Sequence, residues 1–195
     1  MAINLVKGQK INLQKGSGGA LIKFCVGANW GMVNGNDVDL DLWAATFDGN
    51  KNLVEAIGCF TTFDSSTGAM HHSGDDRGGD DGGDDGLDNE IITVDLSKLQ
   101  SNVDKVAFFL TSYSGNDFAT VPHASLRIYE GTNERVTNVI AKYDIGTDSS
   151  FAGHVVMVAG VFYKHNGEWK FNAVGAPTKD RSHTDAITTI KAKYL

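Results

Sequence analysis

In Val161-Phe-Tyr-Lys-His-Asn-Gly-Glu-Trp-Lys-Phe171, two runs rich in aromatic and β-branched residues flank the pair Asn166-Gly167. Asn-Gly supplies the two positive φ angles of a type I′ turn, so this segment is predicted to be a tight β-hairpin. The same signature of short apolar or alternating runs separated by Gly, Asn and Asp extends along the chain in both directions. It predicts strands near residues 2–6, 9–13, 20–26, 37–45, 53–57, 91–95, 104–112, 125–130, 136–143, 155–163 and 168–174. No long amphipathic helix intervenes, so the fold class is all-β, an antiparallel β-sandwich. Helix is expected only as one turn over Ser97–Gln100 and as a short C-terminal element after Asp185, where Ile187, Ile190, Lys191 and Tyr194 fall at helical spacing. The domain boundary is drawn after residue 176, with 1–176 as the sandwich and 177–195 as a tail. Gly16-Ser-Gly-Gly19 reads as a turn between strands.

The chain has 195 residues and a formal net charge of −7, and the position of that charge is informative. Residues 75–90 carry eight acids against the single base Arg77, which accounts for the whole imbalance. Elsewhere acids and bases balance, so there is no basic surplus for phosphates or anionic lipid, and no nucleic-acid or membrane footprint is expected. The hydrophobic content of 41% suffices for a core and argues against general disorder. The longest apolar run, Val155–Tyr163, is interrupted by Gly160 and is far short of the ~20 residues of a membrane-spanning helix. The N-terminus lacks a basic segment followed by an apolar one. Together with the absence of Asn-x-Ser/Thr and the presence of only two cysteines, Cys25 and Cys59, this suits a reducing cytoplasm. A Cys25–Cys59 disulfide stays open at this point.

Two acidic segments carry the chemistry. Residues 74–86 read Gly-Asp-Asp-Arg-Gly-Gly-Asp-Asp-Gly-Gly-Asp-Asp-Gly, a long loop in which short carboxylate arms alternate with glycines that permit tight left-handed backbone. Such oxygen-rich donors suit a hard cation, Ca²⁺ before Mg²⁺, because Ca²⁺ accepts six to eight ligands in irregular geometry. The bland alternative is a solvated acidic loop. The second segment is Asp37-Val-Asp-Leu-Asp-Leu-Trp43, whose period of two places Val38, Leu40 and Leu42 on one face and Asp37, Asp39 and Asp41 on the other. Same-face carboxylates about 7 Å apart repel by roughly 2 kcal/mol at an effective dielectric of about 20, a cost that a cation would remove. Here the bland alternative is a solvent-facing strand with screened charge. An EF-hand is rejected because Leu42 stands where that loop needs Gly, and the four-residue period of Gly-Gly-Asp-Asp excludes the nine-residue calcium solenoid.

Asp37-Val-Asp-Leu-Asp41, His72-Ser-Gly-Asp-Asp-Arg77, Lys164-His-Asn-Gly-Glu-Trp-Lys-Phe171 and Ala173-Val-Gly175 occur in this order. In that combination the chain resembles the TerD-domain proteins of bacterial tellurite resistance and general stress response, as far as about residue 175. The resemblance implies a calcium-binding β-sandwich, with Asp37, Asp39 and Asp41 on the family's strand carboxylates and Asp75 and Asp76 at the start of its acidic loop. The family's closing acidic triplet falls on Asp88, Asn89 and Glu90. The loop is about four residues longer than usual in the family, Leu42 replaces a small residue, and the tail from Pro177 does not match. The candidate metal ligands are therefore Asp37, Asp39, Asp41, Asp75, Asp76, Asp84, Asp88 and Glu90, holding about two Ca²⁺ ions.

Other constellations are weaker. His71-His72 lacks the Cys partner or second His pair of a zinc site and is read as flanking the calcium loop. No Gly-x-Ser-x-Gly elbow or phosphate-binding loop occurs, carboxylates on flexible glycine loops are poorly held for glycoside hydrolysis, and both cysteines have apolar neighbours that favour burial over reactivity. The expected function is a non-enzymatic, cytoplasmic, calcium-binding stress-response protein that presents a calcium-ordered surface to a protein partner. The alternatives are a module whose bound metal bridges an anion or sugar, and a phage-associated structural protein with an incidental acidic loop.

Overall fold

The computed structural model describes residues 3–4, 9–11, 19–146 and 148–195. The predicted turn over residues 16–19, apart from Gly19, and much of the first two predicted strands lie outside that range. Twelve strands are described: β1 (Ile3–Asn4), β2 (Lys10–Ile11), β3 (Lys23–Asn29), β4 (Leu40–Asp48), β5 (Leu53–Ile57), β6 (Met70–His72), β7 (Glu90–Asp95), β8 (Val103–Ser112), β9 (Ser125–Thr132), β10 (Arg135–Asp144), β11 (Val156–His165) and β12 (Glu168–Thr178). They form two six-stranded sheets, in the orders β1-β10-β9-β3-β7-β6 and β2-β12-β11-β8-β4-β5. A single helix, α1 (His183–Lys193), follows the last strand. Among the described residues no helix is long and apolar enough to cross a membrane.

The predicted hairpin is β11–β12. Lys164 pairs with Trp169 and His165 with Glu168, and the turn residues Asn166 and Gly167 have φ of 53° and 81°. Alternation along these strands aims Phe162 and Phe171 inward, where their rings lie 4.7 Å apart. Phe24 of the opposite sheet stacks on Phe162 at 4.6 Å, and Phe108 approaches both edge-on. These rings join the two sheets into a sandwich, with offset and edge-to-face contacts that favour aromatic pairs. Gly160 marks a register shift against both neighbouring strands, and a methyl group there would lie 2.3 Å from the Phe171 ring and 2.7 Å from the Asn172 carbonyl oxygen. A second apolar layer covers the outer face of the β11-containing sheet, where Ala186 and Ile190 of α1 join Trp43, Phe109 and Val158.

Several expectations change in detail. The β1–β10 pairing is parallel, whereas the other pairings among described strands are antiparallel. Strand β6 was not predicted, because three residues, Met-His-His, are too few to show alternation; it pairs with β7 at a sheet edge. Cys59 lies in the turn after β5, and the Cys25–Cys59 disulfide left open by the sequence is absent, both cysteines being free. The short turn expected at Ser97–Gln100 is a 3-10 turn over Leu96–Lys98, whose first turn Asp95 caps through Ser97 N–H. Helix α1 starts at His183, ahead of Asp185, because Ser182 Oγ accepts from Asp185 N–H as the N-cap.

Gly160→Ala should overpack the core against a buried ring and a fixed carbonyl, at a cost of about 1–3 kcal/mol. Denaturant unfolding measures this, and an unchanged midpoint would contradict the packing described.

Candidate functional site

The site lies where the chain entering β4 meets the loop between β6 and β7. Trp30 is fully buried, and its indole Nε1–H donates to the Val38 carbonyl at 2.7 Å. Val38 N–H in turn donates to the Gly78 carbonyl at 3.1 Å, tying the strand entry to the acidic loop. Val38, Leu40 and Leu42 are fully buried, as alternation predicts. The carboxylate face differs from a solvent-facing strand: Asp37 is exposed, Asp39 half-buried, and Asp41 only 2% exposed. Asp41 is covered because Cys59 Sγ–H donates to its Oδ1 at 2.6 Å and Thr111 Oγ1–H to its Oδ2 at 3.0 Å. Trp43 Nε1–H completes that chain by donating to Thr111 Oγ1 at 3.0 Å.

Glu90, the first residue of β7, has no exposure. Its Oε2 accepts from Leu42 N–H at 2.7 Å and its Oε1 from Asp76 N–H at 3.2 Å, so one carboxylate bridges β4 and the loop. His72 Nε2 lies 3.3 Å from Oε2 and 3.1 Å from the Leu42 carbonyl, while His72 Nδ1 accepts from Gly74 N–H. An accepting Nδ1 places the proton of a neutral ring on Nε2, where it faces those oxygens. Burial pushes Glu90 up, against the lowering effects of His72 and the two backbone donors. Asn89 is a second tie: its Oδ1 accepts from Trp30 N–H, and its Nδ2 donates to Asp80 at 3.1 Å and more weakly to Asp76 at 3.4 Å. Asp76 Oδ1 also accepts from Gly78 and Gly79 N–H, shaping the turn.

The predicted ligands fall into groups. Oxygen atoms of Asp41 and Asp75, together with Cys59 Sγ, lie within 4.8 Å of one another. Asp39 belongs to the same neighbourhood, since Asp41, Asp75 and Glu90 all repel its charge. Burial first, then these three acids, lift Asp39 to about 6, with Arg77 opposing. Asp39 Oδ1 is buried without a hydrogen-bond partner. Asp84 joins Asp80 and Asp85 in a second, more exposed cluster within 4.8 Å, where Asn29 Nδ2 donates to Asp84 at 3.1 Å. Asp37 and Asp76 flank Gly78, with one oxygen of each 3.9 Å from where a Cβ on that glycine would sit. Asp88 stands apart. Arg127 Nε lies 2.8 and 3.0 Å from its two oxygens, and its carboxylate packs into the space that a side chain at Gly27 would need.

This donor set fits a hard cation. The first cluster combines crowded carboxylates with an orphaned buried oxygen, and Arg77, paired with Asp75 at 2.8 Å, is the cation that offsets Asp39. Cys59 does not make the site thiophilic: burial, then the Asp41 carboxylate, push its thiol far above the ordinary range, so it stays a proton donor. Asp41 keeps a second lone pair on each oxygen for an ion. Cys59, Thr111 and Asn29 were not read as site residues, and their contacts with Asp41 and Asp84 span 18 to 70 positions that no local motif connects. Asn89 was legible only as the middle of the closing acidic triplet.

Residues 1–183 match the TerD domain. General stress protein 16U of Bacillus subtilis (strain 168) is 34% identical over 185 residues, covering 90% of this chain and 91% of that protein. Tellurium resistance protein TerZ of Serratia marcescens is 31% identical over 203 residues, covering 96% and 98% of the two chains. The crystal structure of a TerD homologue from Streptomyces coelicolor A3(2) superposes with a TM-score of 0.71 at 18% identity, covering 88% of this chain and 98% of that one, and shows the same fold. The chain belongs to the TerD-domain family of tellurite-resistance and stress-response proteins.

Proposed function

We propose that this protein is a non-enzymatic, cytoplasmic calcium-binding member of the family, whose loop over residues 73–90 presents a metal-ordered surface to a protein partner. The observation that carries the reading is the buried, unpartnered Asp39 Oδ1 set among Asp41, Asp75 and Glu90, a site short of positive charge. Asp39, Asp41 and Asp75 would hold one ion, and Asp80, Asp84 and Asp85 would contribute to a second. Glu90 and Asn89 act as positioning groups that hold the loop against β4. The ion would supply charge neutralisation and fix the loop's carboxylates in place.

Three outcomes test this reading. Isothermal titration should give about two Ca²⁺ per chain with weaker Mg²⁺ binding, since the smaller ion demands near-octahedral geometry that irregular loop donors do not offer. No heat with Ca²⁺, or equal affinity for Mg²⁺, would contradict it. Asp39→Ala or Asp41→Ala should lower calcium affinity about tenfold or more, whereas Asp81→Ala, at an exposed residue outside both clusters, should change it little. The reverse ranking would move the principal site into the exposed part of the loop.

The third outcome concerns pH. In the metal-stripped protein Asp39 holds its proton more tightly when folded, at about 6, than its ordinary value of 3.8. Its destabilising charge is therefore fully present above pH 6 and relieved as pH falls toward about 4. Asp41 and Glu90 shift the same way. Melting temperature without metal should rise between pH 7 and 5, and with saturating calcium it should fall as protons compete for the carboxylates. A metal-free melting temperature that drops over that interval would argue against the crowding.

A further inference from the structure

Among the described residues five large apolar side chains are exposed, and four of them, Phe60, Phe63, Leu87 and Tyr113, sit in loops at the acidic end of the sandwich. Leu53, which opens β5 at the far end against Phe47, is the exception. A lone exposed apolar residue needs no explanation, whereas a contiguous group does. Phe60 and Tyr113 form such a group: their ring centroids are 5.3 Å apart, they are 55% and 66% exposed, and Phe60 rests on the buried Trp43 at 6.1 Å. Both border the first acidic cluster directly. Cys59, next to Phe60, donates to Asp41, and Tyr113 N–H donates to the Asp39 carbonyl at 2.9 Å. Phe63, in the same loop as Phe60, stacks at 5.5 Å on His72, the partner of Glu90. An open groove of about 380 Å³ lies beside Phe60 and Tyr113, lined also by the exposed Arg181 and by His183.

The charge around these rings selects what covers them. The two acidic segments carry eleven acids against Arg77 and Arg127, and two bound divalent ions would still leave a formal charge of −5. Anionic lipid is therefore repelled, and so is a second copy of the chain presenting the same face in a two-fold pair. A cationic segment is instead attracted and steered. Arg181 disfavours a cation inside the groove itself, so the part of a partner that enters there is apolar. Its Lys or Arg side chains then fall on the surrounding carboxylates. Aromatic anchors ringed by polar and charged groups match the anatomy of protein–protein contacts.

We propose that this end of the molecule docks a basic segment of a protein partner, rich in Lys or Arg and carrying a large apolar side chain that packs on Phe60 and Tyr113. This deepens the function proposed above by naming the chemistry of the partner, and it rests on that reading only for the choice of face, not for the metal. In the test, the full ¹⁵N-labelled chain, with calcium and with chelator, is titrated with three peptides of equal length, Lys/Ala/Leu, Lys/Ala and Glu/Ala/Leu, and followed by backbone NMR. The Lys/Ala/Leu peptide should bind saturably, about tenfold or more tighter than either control, with shifts at Phe60, Phe63 and Tyr113. Tyr113→Ser and Phe60→Ser should each lower that affinity about fivefold or more. Tyr113→Ser, at the more exposed ring, should do so without changing the melting temperature, so the loss is not one of folding. Raising sodium chloride from about 0.05 to about 0.5 M should weaken binding several-fold. Equal binding of the Lys/Ala peptide would reduce the effect to charge attraction and overturn the proposal. Equal binding of the Glu/Ala/Leu peptide, shifts confined to other faces, or no saturable shift in either metal state would do the same. Dimerisation through Phe60 and Tyr113 would overturn it too, by making a second copy the occupant. A calcium titration without peptide separates the two readings. Docking without calcium binding removes the metal alone, and calcium binding without docking removes the basic partner alone.

Discussion

A single carboxylate with no access to water holds the working end of the molecule together. Glu90 reaches Leu42 in one sheet and Asp76 in the loop while it begins a strand of the other sheet, and His72 closes over it. Removing one partner from such a buried, hydrogen-bonded charge generally costs about 3–5 kcal/mol, because the rest cannot be resolvated. The position of every acid in the first cluster follows from it. Leu42 fixes the register of Asp39 and Asp41, and Asp76 fixes where Asp75 can point. Asn89 and the Trp30 indole add smaller ties: Asn89 joins the Trp30 backbone to Asp80 in the loop, and the indole joins the end of β3 to the chain entering β4 at Val38.

These ties explain why a segment this acidic keeps a defined path. Backbone N–H groups and amide side chains absorb part of the negative charge, leaving a few oxygens crowded and unsatisfied. Asp39 Oδ1 is one of them, and it stands among the charges of Asp41, Asp75 and Glu90. The loop's acids thus divide into structural members, such as Asp76 and Asp88, and members without adequate compensation. Asp88 differs from Asp39 in having a cation at hand: Arg127 faces its carboxylate, which packs over Gly27, and opposes the upward push of burial.

Sequence reading located most of the sheet structure, because alternation and the Asn166-Gly167 turn are local signals that packing did not overrule. It missed β6, whose three residues carry no period. For the site, residue types and their grouping on Asp37–Asp41 and the glycine-rich loop were legible. Burial was not: Asp41 reads as solvent-facing because its cover comes from Cys59, Thr111 and the α1 region, which only the tertiary fold brings near. The pairing of Asp88 with Arg127, 39 positions away, was hidden for the same reason.

The β11–β12 hairpin also bears on the order in which the chain assembles. A two-residue turn closes with less entropy loss than the long connections elsewhere in the two sheets, and isolated hairpins form within microseconds. This hairpin carries two of the four phenylalanines that join the sheets, so early pairing would deliver half of that aromatic centre before distant strands arrive. The acidic loop, by contrast, is positioned only after β4 and β7 have come to lie in opposing sheets. Mutual repulsion among its carboxylates therefore arises late, when a formed core is already present to withstand it.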